Sequence, residues 1–216
     1  MLEFSGPPGT SVAMGYGGDT LNTCVYLSRL GIETAFVTAV GDDLISEWMV
    51  RQWGEEGVDT NFVVRLSNEK SGIYWIHVDD HGERSFTYWR AGSAASKLFD
   101  SPDRCADLAL QLAGARLCYI SGITLSILPE KARKALWELL GLLKESGVTI
   151  CFDSNYRSVS WPSVGLAREV FDRTLTYVDI ALPTFEDEAM LYGDPYPRDT
   201  AERLHKIGVP EVVIKM

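Results

Sequence analysis

Segments with helical and strand-like patterns alternate along most of this chain, and that alternation constrains the fold more than any other feature. DTLNTCVYLSRLG has apolar residues at helical spacing from Leu21 to Leu30, and the strand-like ETAFVTAVG follows it. Similar units recur up to the terminal strand EVVIKM, and their strands are almost continuously apolar. Strands buried in parallel sheets have this character. The sequence therefore predicts an α/β fold, with a parallel sheet covered by helices on both faces.

The caps and terminators of these segments place the helices. The second helix lies in DDLISEWMVRQWGEEG, with Asp42 or Asp43 as its N-cap and Gly57 as its terminator. Further helices are predicted near 102–113, over 129–146 and over 163–175, and short ones precede the terminal strand. The strands between them are predicted in ARLCYIS, VTICFDSN and VDIALP.

Between residues 60 and 91 the apolar period changes to two. NFVVRLS, SGIYWIHVDD and ERSFTYWRA are predicted as strands of a small antiparallel sheet, the last two joined across residues 79–82. Alternation places Tyr74 and Ile76 on one face, and Phe86, Tyr88 and Arg90 together on the neighbouring strand. Such a face could close over a sugar and pair a carboxylate with its guanidinium. The alternative, which the pattern alone favours, is a solvated amphipathic hairpin.

Composition narrows the class of partner. The 216 residues are 46% hydrophobic and 23% charged, which excludes a disordered chain. A net charge of −10 without a dense basic run argues against nucleic acid, and no apolar run is long enough to span a membrane. The four cysteines are scattered, there are three histidines, and no signal peptide is recognisable. We expect a cytoplasmic protein with reduced thiols and no metal-binding set of side chains.

A glycine pair precedes the first helix. Gly17 and Gly18 let a ligand approach the backbone closely, and the helix that begins at Asp19 offers N–H groups to a polar or anionic ligand. The alternative is a tight turn in which Asp19 is an ordinary N-cap.

A second polar cluster ends a predicted parallel strand. FDSNYR places Asp153, Asn155 and Arg157 at the carboxyl edge of the sheet, where open α/β folds bind their ligands. The alternative is that Asp153 caps a turn and Arg157 forms a surface ion pair. The acidic group 186–188 allows a similar choice between a ligand site and an ordinary acidic first helical turn. The chain contains no Walker A loop, HExxH or GxGxxG, so P-loop NTPases and zincins lack their minimal motifs.

The ordered segments can be compared with a known family. GGDTLNTCVYLSRLG followed by TAFVTAVGDD resembles the N-terminal signature of the ribokinase-like carbohydrate kinases, the PfkB family. GIYWIHVDDHGERSFTYWRAGSAAS, LCYISGITLSIL and FDSNYRSVSWP are similar to its 2-keto-3-deoxygluconate kinase branch, and the match runs through essentially the whole chain. The resemblance implies a ribokinase-like parallel sheet with helices on both faces and a small antiparallel β lid. Residues 18–59 and 92–216 would form the α/β main domain, and residues 1–17 and 60–91 the lid.

The resemblance also implies roles for individual residues. The family transfers phosphate from MgATP to the terminal hydroxyl of 2-keto-3-deoxygluconate, giving 2-keto-3-deoxy-6-phosphogluconate. The positions that match its substrate site are Gly18, Asp19, Thr20, Leu21, Asn22, Tyr74, Tyr88, Arg90 and Arg157. The positions that match its nucleotide site are Tyr88, Trp89, Arg90, Asn155, Tyr156 and Arg157.

Three departures from the family pattern qualify this expectation. The family's N-x-x-E segment, in its metal and phosphate region, stands here as Thr184 to Asp187. Its D-T-x-G-A-G-D segment, whose last Asp is the catalytic base, has no match, so no catalytic residue is predicted and the ATP and Mg site is incomplete. MLEFSG resembles the end of the family's opening G-E-x-M-x-E-x-S strand. We therefore expect an inactive fragment, with both ends inside strands.

Two other functions and an assembly stay open at this stage. The chain could be a non-catalytic sugar-acid-binding protein, or a PfkB kinase for another sugar such as fructose, ribose or a nucleoside. A homodimer through the lid is also predicted, because Ile73, Trp75 and Trp89 form an apolar face opposite the tyrosine and arginine face.

Overall fold

The computed structural model describes residues 1–7, 11–79, 81–101 and 103–216. They form two compact units, Met1–Leu98 and Phe99–Met216. The elements of the first unit are β1 (Leu2–Ser5), β2 (Ala13–Tyr16), α1 (Asp19–Arg29), β3 (Thr38–Gly41), α2 (Leu44–Glu55), β4 (Val63–Leu66), β5 (Ile73–Val78) and β6 (Arg84–Trp89). Those of the second are α3 (Arg104–Leu112), β7 (Leu117–Ser121), α4 (Gly122–Ile127), α5 (Glu130–Glu145), β8 (Thr149–Asp153), α6 (Val164–Leu175), β9 (Ile180–Ala181), α7 (Phe185–Tyr192), α8 (Pro197–Ile207) and β10 (Glu211–Val212).

The first unit combines a four-stranded mixed sheet with a βαβ unit. The sheet has the order β2-β1-β5-β6, in which β1 runs parallel to β5 and the other two pairs are antiparallel. The helices α1 and α2 bury their apolar faces in one core, built around Leu21, Met49 and Trp53. Of the two candidate caps of α2, Asp43 is the one used, because its carboxylate accepts hydrogen bonds from the backbone of Ile45 and Ser46.

One predicted strand has a different partner from the expected one. NFVVRLS does contain a strand, β4, but β4 pairs in parallel with β3 and does not join the antiparallel insert, so that pairing was wrong. The reason is that α2 connects β3 to β4 as the crossover of a βαβ unit, and such a crossover brings its two strands side by side. The sheet of β5 and β6 is completed instead by β1 and β2. Asp80, in the predicted turn between β5 and β6, lies outside the described residues.

The second unit is a parallel sheet covered by helices. Its strands have the order β10-β9-β8-β7, and all the pairs are parallel. The helices predicted over 129–146 and 163–175 are confirmed as α5 and α6, and the one near 102–113 as α3; Pro102 itself lies outside the described residues. The short helix α4 was not predicted. It begins because the Ser121 hydroxyl accepts a hydrogen bond from the backbone of Ile123, directly after β7.

The two compact units do not coincide with the predicted main domain and lid. The predicted division takes residues 18–59 and 92–216 together and sets 1–17 and 60–91 apart, and it stays a prediction. Its lid ranges do contain all four strands of the mixed sheet, β1, β2, β5 and β6. Within the described residues, no helix has both the length and the apolar character that crossing a membrane requires.

Candidate functional site

A row of side chains crosses one face of the mixed sheet. The strand register sets Glu3 of β1 beside Tyr74 of β5, and Tyr74 beside Tyr88 of β6. The ring centroids of Tyr74 and Tyr88 are 6.1 Å apart, and those of Tyr74 and Phe86 are 6.4 Å apart. The sequence prediction that these three aromatic residues share a face is confirmed. The exposed Phe86 and Tyr88 therefore offer their rings to a ligand, and Tyr74, which is 8% exposed, lies beside them.

Arg90 adds a cation to this face. Its guanidinium carbon lies 4.6 Å from the centroid of the Tyr88 ring, a cation–π arrangement. A guanidinium over a ring still carries N–H groups in its own plane, and these can pair a carboxylate bidentately. Trp89 belongs to the other face of β6, where it stands opposite Ile73. The structure thus brings Tyr74, Tyr88 and Arg90 together but does not add Trp89 to them.

The glycine pair leads directly into α1. Gly18 is the residue before the helix, with φ 152° and ψ 144°, and its carbonyl accepts the first helical hydrogen bond, from the backbone of Asn22, at 2.8 Å. The alternative with Asp19 as N-cap is wrong, because Asp19 is already the first helical residue and Gly18 provides no side chain to cap it. A backbone with φ near 150° favours glycine, so Gly18 is needed for this entry.

The predicted substrate residues of α1 differ in what they can present. Asn22 is exposed, and Asp19 and Thr20 are half-buried. Leu21 is only 1% exposed and belongs to the core of its unit, so its side chain has no surface for a ligand. A contact at Leu21 would have to use its backbone.

In the second unit, Asp153 organises the carboxyl end of β8. Its carboxylate accepts a hydrogen bond from the backbone of Asn155 at 3.0 Å, so it does cap a turn. It also forms an ion pair with Lys215, with 2.6 Å between Nζ and Oδ2. Lys215 was not among the predicted site residues, although its place at the end of the strand-like run EVVIKM puts it at the same edge of a parallel sheet.

Arg157 is held by the first turn of α7. Its Nη1 donates to the carbonyl of Tyr156 at 2.8 Å and lies 3.7 Å from Oδ2 of Asp187. The same carboxylate accepts from the backbone of Tyr156 at 3.2 Å. Burial raises the pKa of Asp187 above its ordinary value, and Arg157 counteracts this shift. The segment that stands in place of the family's N-x-x-E is thus joined to the FDSNYR segment.

Tyr156 is a buried member of this cluster. It is 3% exposed, and its ring packs edge-on against Phe171 with 6.4 Å between centroids. A nucleotide has little access to such a side chain. Asn155, with φ 31°, and the half-exposed Arg157 form the surface of the segment.

Comparison with known proteins places the chain in a family. The model of the family described as "pfkB family carbohydrate kinase" matches residues 5–216. The chain belongs to the pfkB family. A protein named 2-dehydro-3-deoxygluconokinase in Haemophilus influenzae is 42% identical over 219 aligned residues, which cover all of this chain and 69% of that protein.

Solved structures of pfkB proteins share the fold. A PfkB protein from Polaromonas sp. JS666 matches with a TM-score of 0.90 and 25% identity, over all of this chain and 73% of that one. A 2-dehydro-3-deoxygluconokinase from Thermotoga maritima matches with a TM-score of 0.85 and 26% identity, over 99% of this chain and 69% of that one. The predicted fold class, a ribokinase-like α/β sheet, is confirmed.

Membership of a kinase family implies ATP and a divalent metal. The edge of the second unit suits a polyphosphate, because it presents the partly exposed cations Arg157 and Lys215. For the metal the fit is poor: no group of three or more acidic, histidine or cysteine side chains among the described residues could hold an ion.

Proposed function

We propose that this chain binds 2-keto-3-deoxygluconate as a member of the sugar-acid kinases. These enzymes use ATP to convert that sugar acid to 2-keto-3-deoxy-6-phosphogluconate. The observation that carries the proposal is the guanidinium of Arg90 stacked on Tyr88 beside Tyr74. An open-chain keto acid needs a fixed cation for its carboxylate and polar groups for its hydroxyls, and this face offers both. The names of the relatives from Haemophilus influenzae and Thermotoga maritima support the same substrate.

The two units would serve different parts of the reaction. In the first, the Gly18–Asn22 turn, Tyr74, Tyr88 and Arg90 would bind the sugar acid. In the second, Asn155 and Arg157 would serve the nucleotide, and Tyr156 would support them from the core.

The chemistry asks for positioning and charge neutralisation. A hydroxyl oxygen of the sugar acid bonds to the γ-phosphorus of ATP, the bond from that phosphorus to the ADP oxygen breaks, and a base takes the hydroxyl proton. Arg157 and Lys215 would offset the negative charge of the phosphates. No residue of this chain is assigned as the base.

We expect Arg90→Ala to weaken the binding of 2-keto-3-deoxygluconate about 10- to 100-fold, because a charge-assisted pair to a carboxylate is lost. Isothermal titration calorimetry on the purified chain measures this affinity. Arg90→Lys should recover part of it, since an ammonium keeps the charge but loses the bidentate fork. Arg65→Ala is the matched control, because Arg65 is an exposed arginine of β4, outside the mixed sheet, and it should leave binding unchanged.

The same calorimetry separates the other candidate functions. Tighter binding of fructose or another neutral sugar than of the sugar acid would contradict the proposal. Phosphorylation of the sugar acid by the purified chain when ATP is supplied would contradict both the expected inactive fragment and the non-catalytic alternative. No affinity for any sugar acid would refute the proposal and the non-catalytic alternative together.

We further propose that the protein is a cytoplasmic homodimer that pairs through the mixed sheet. The four cysteines are free, which suits a reducing compartment. Of the predicted apolar face, Ile73 packs on the core of its own unit and Trp75 donates from its indole N–H to the carbonyl of Gly6. Trp89 is 57% exposed, on a strand whose residues are all exposed. Such an edge favours pairing with a second copy.

Analytical ultracentrifugation tests the dimer. The unmodified chain is expected to sediment as a dimer at micromolar concentration, and Trp89→Glu as a monomer, because a buried unpaired charge at the interface is costly. Tyr26→Glu, a substitution at another exposed aromatic residue, should leave the dimer intact. A monomer for the unmodified chain at every concentration would contradict the proposal.

A further inference from the structure

A partly buried hydrogen bond links the candidate substrate face to β1, a strand to which no role has been assigned. The hydroxyl of Tyr74 donates to Oε2 of Glu3, which stands directly opposite it in the pairing of β1 with β5. Tyr74 is 8% exposed, and Glu3 is half-buried. The two residues are 71 positions apart in the chain, so this contact is made by the sheet alone.

Glycine makes room for this pair. A Cβ atom at Gly17 would overlap the Tyr74 hydroxyl and lie 3.3 Å from Oε2 of Glu3. Any side chain at Gly17 would therefore push the phenol away from the carboxylate. Because Gly17 directly precedes Gly18, the Tyr74 hydroxyl lies beside the turn that enters α1.

The hydrogen bond determines what Tyr74 can do for a ligand. A phenol has a single proton to donate, and an ionised carboxylate can only accept. With its proton directed to Glu3, the oxygen of Tyr74 can offer a ligand only its lone pairs. Burial and the neighbouring carboxylate both raise the pKa of Tyr74, so the phenol keeps its proton in neutral solution.

The row of side chains therefore has a negatively charged end and a positively charged end. Glu3 and the acceptor oxygen of Tyr74 lie at one end, and the guanidinium of Arg90, stacked on Tyr88, lies at the other. A ligand carboxylate is repelled by the first end and attracted by the second, whereas a ligand hydroxyl can donate at the first. A molecule with one carboxylate and several hydroxyls then has a single favoured direction.

We propose that Glu3 is a positioning residue that holds the Tyr74 proton, so that Tyr74 accepts a hydrogen bond from a hydroxyl of the sugar acid while Arg90 takes its carboxylate. This inference rests on the proposed function. Glu3 acts through Tyr74 and need not touch the ligand. A purely structural role, in which the hydrogen bond only ties β1 to β5, is the competing explanation.

A double-mutant cycle distinguishes the two explanations. Calorimetry with 2-keto-3-deoxygluconate is run on the unmodified chain, Glu3→Gln, Tyr74→Phe and the double variant. Glu3→Gln keeps the shape of the side chain but no longer commits the phenol proton, and we expect about a 5- to 10-fold loss of affinity. In the Tyr74→Phe background the same substitution should change affinity less than about twofold, because the group it acts on is gone.

Equal effects of Glu3→Gln in the two backgrounds would overturn the inference in favour of the structural role. Glu33→Gln and Tyr26→Phe are the matched controls, since both residues are exposed, and neither should alter affinity. If the unmodified chain binds no sugar acid, the proposed function fails, and this inference fails with it.

A measurement without ligand distinguishes failure of this inference from failure of the proposed function. In the chain labelled with ¹³C at the tyrosine ζ carbon, the resonance that disappears in Tyr74→Phe belongs to Tyr74. Its titration midpoint should lie above the ordinary range of a tyrosine, and Glu3→Gln should lower that midpoint. A Tyr74 midpoint within the ordinary range would show that Glu3 does not hold its proton, whatever the chain binds.

Discussion

Arg203→Ala is expected to lower the free energy of unfolding by about 3–5 kcal/mol, because it leaves a carboxylate buried without its partner. Glu188 is 3% exposed, and its Oε2 lies 2.7 Å from Nη2 of Arg203. The same guanidinium pairs with Asp194 at 2.7 Å and lies 3.7 Å from the centroid of the Tyr192 ring. One side chain of α8 thus neutralises two carboxylates, Glu188 in the first turn of α7 and Asp194 just after its end.

Urea unfolding followed by circular dichroism measures this loss. Arg198→Ala is the control, because Arg198 lies in the same helix but forms an exposed ion pair with Glu202, and it should cost less than about 1 kcal/mol. A loss for Arg203→Ala as small as that of the control would contradict the importance of the buried network.

The pH dependence of Arg203→Ala gives a second test. Burial raises the pKa of Glu188, and Arg203 counteracts that shift. Removing Arg203 therefore raises the pKa of Glu188 in the folded state further above its value in the unfolded state. Between the two values the folded state holds a proton that the unfolded state has released, and stability falls as pH rises. The variant should therefore lose most stability near neutral pH and recover part of it in acid.

The local patterns were sufficient for most of the fold. The helical period of α1 and the apolar run of β8 are properties of short segments, and both elements lie where the sequence predicts them. The pairing of β4 was not predictable in this way, because a four-residue strand does not encode its neighbour. Only the crossover through α2 decides that β4 joins β3.

The site was predictable where it depends on strand alternation. Tyr74 and Tyr88 share a face because side chains alternate along a strand, and the sequence displays that alternation. The partners of Tyr74 and Asp153 were missed, since Glu3 and Lys215 are reached only through sheet pairing, over 71 and 62 positions respectively. A family motif does not distinguish surface from core, so Leu21 and Tyr156 were expected at the ligand although their side chains are buried.

Gly122→Ala is expected to destabilise the chain by about 3 kcal/mol, because no space exists for a Cβ atom there. That atom would overlap the carbonyl oxygen of Ser154 and lie 2.7 Å from Cζ of Phe171. Neither neighbour can move easily: Ser154 and Phe171 are both buried, and Phe171 packs against Phe152 with 5.4 Å between ring centroids. Gly114→Ala is the control, because a Cβ atom at Gly114 would meet nothing within 4 Å.

Gly122→Ala should also alter the charged edge of the parallel sheet in the second unit. Ser154 stands between Asp153 and Asn155, so displacing its carbonyl moves the carboxylate that pairs with Lys215 and the turn that leads to Arg157. Thermal unfolding is expected to show a lower Tm for Gly122→Ala than for Gly114→Ala, and titration calorimetry a weaker binding of ATP. An unchanged Tm would mean that the turn from β7 into α4 does not pack on Ser154 as described. A lower Tm with unchanged ATP affinity would instead show that the packing of this turn does not affect the edge at which Arg157 is proposed to serve the nucleotide.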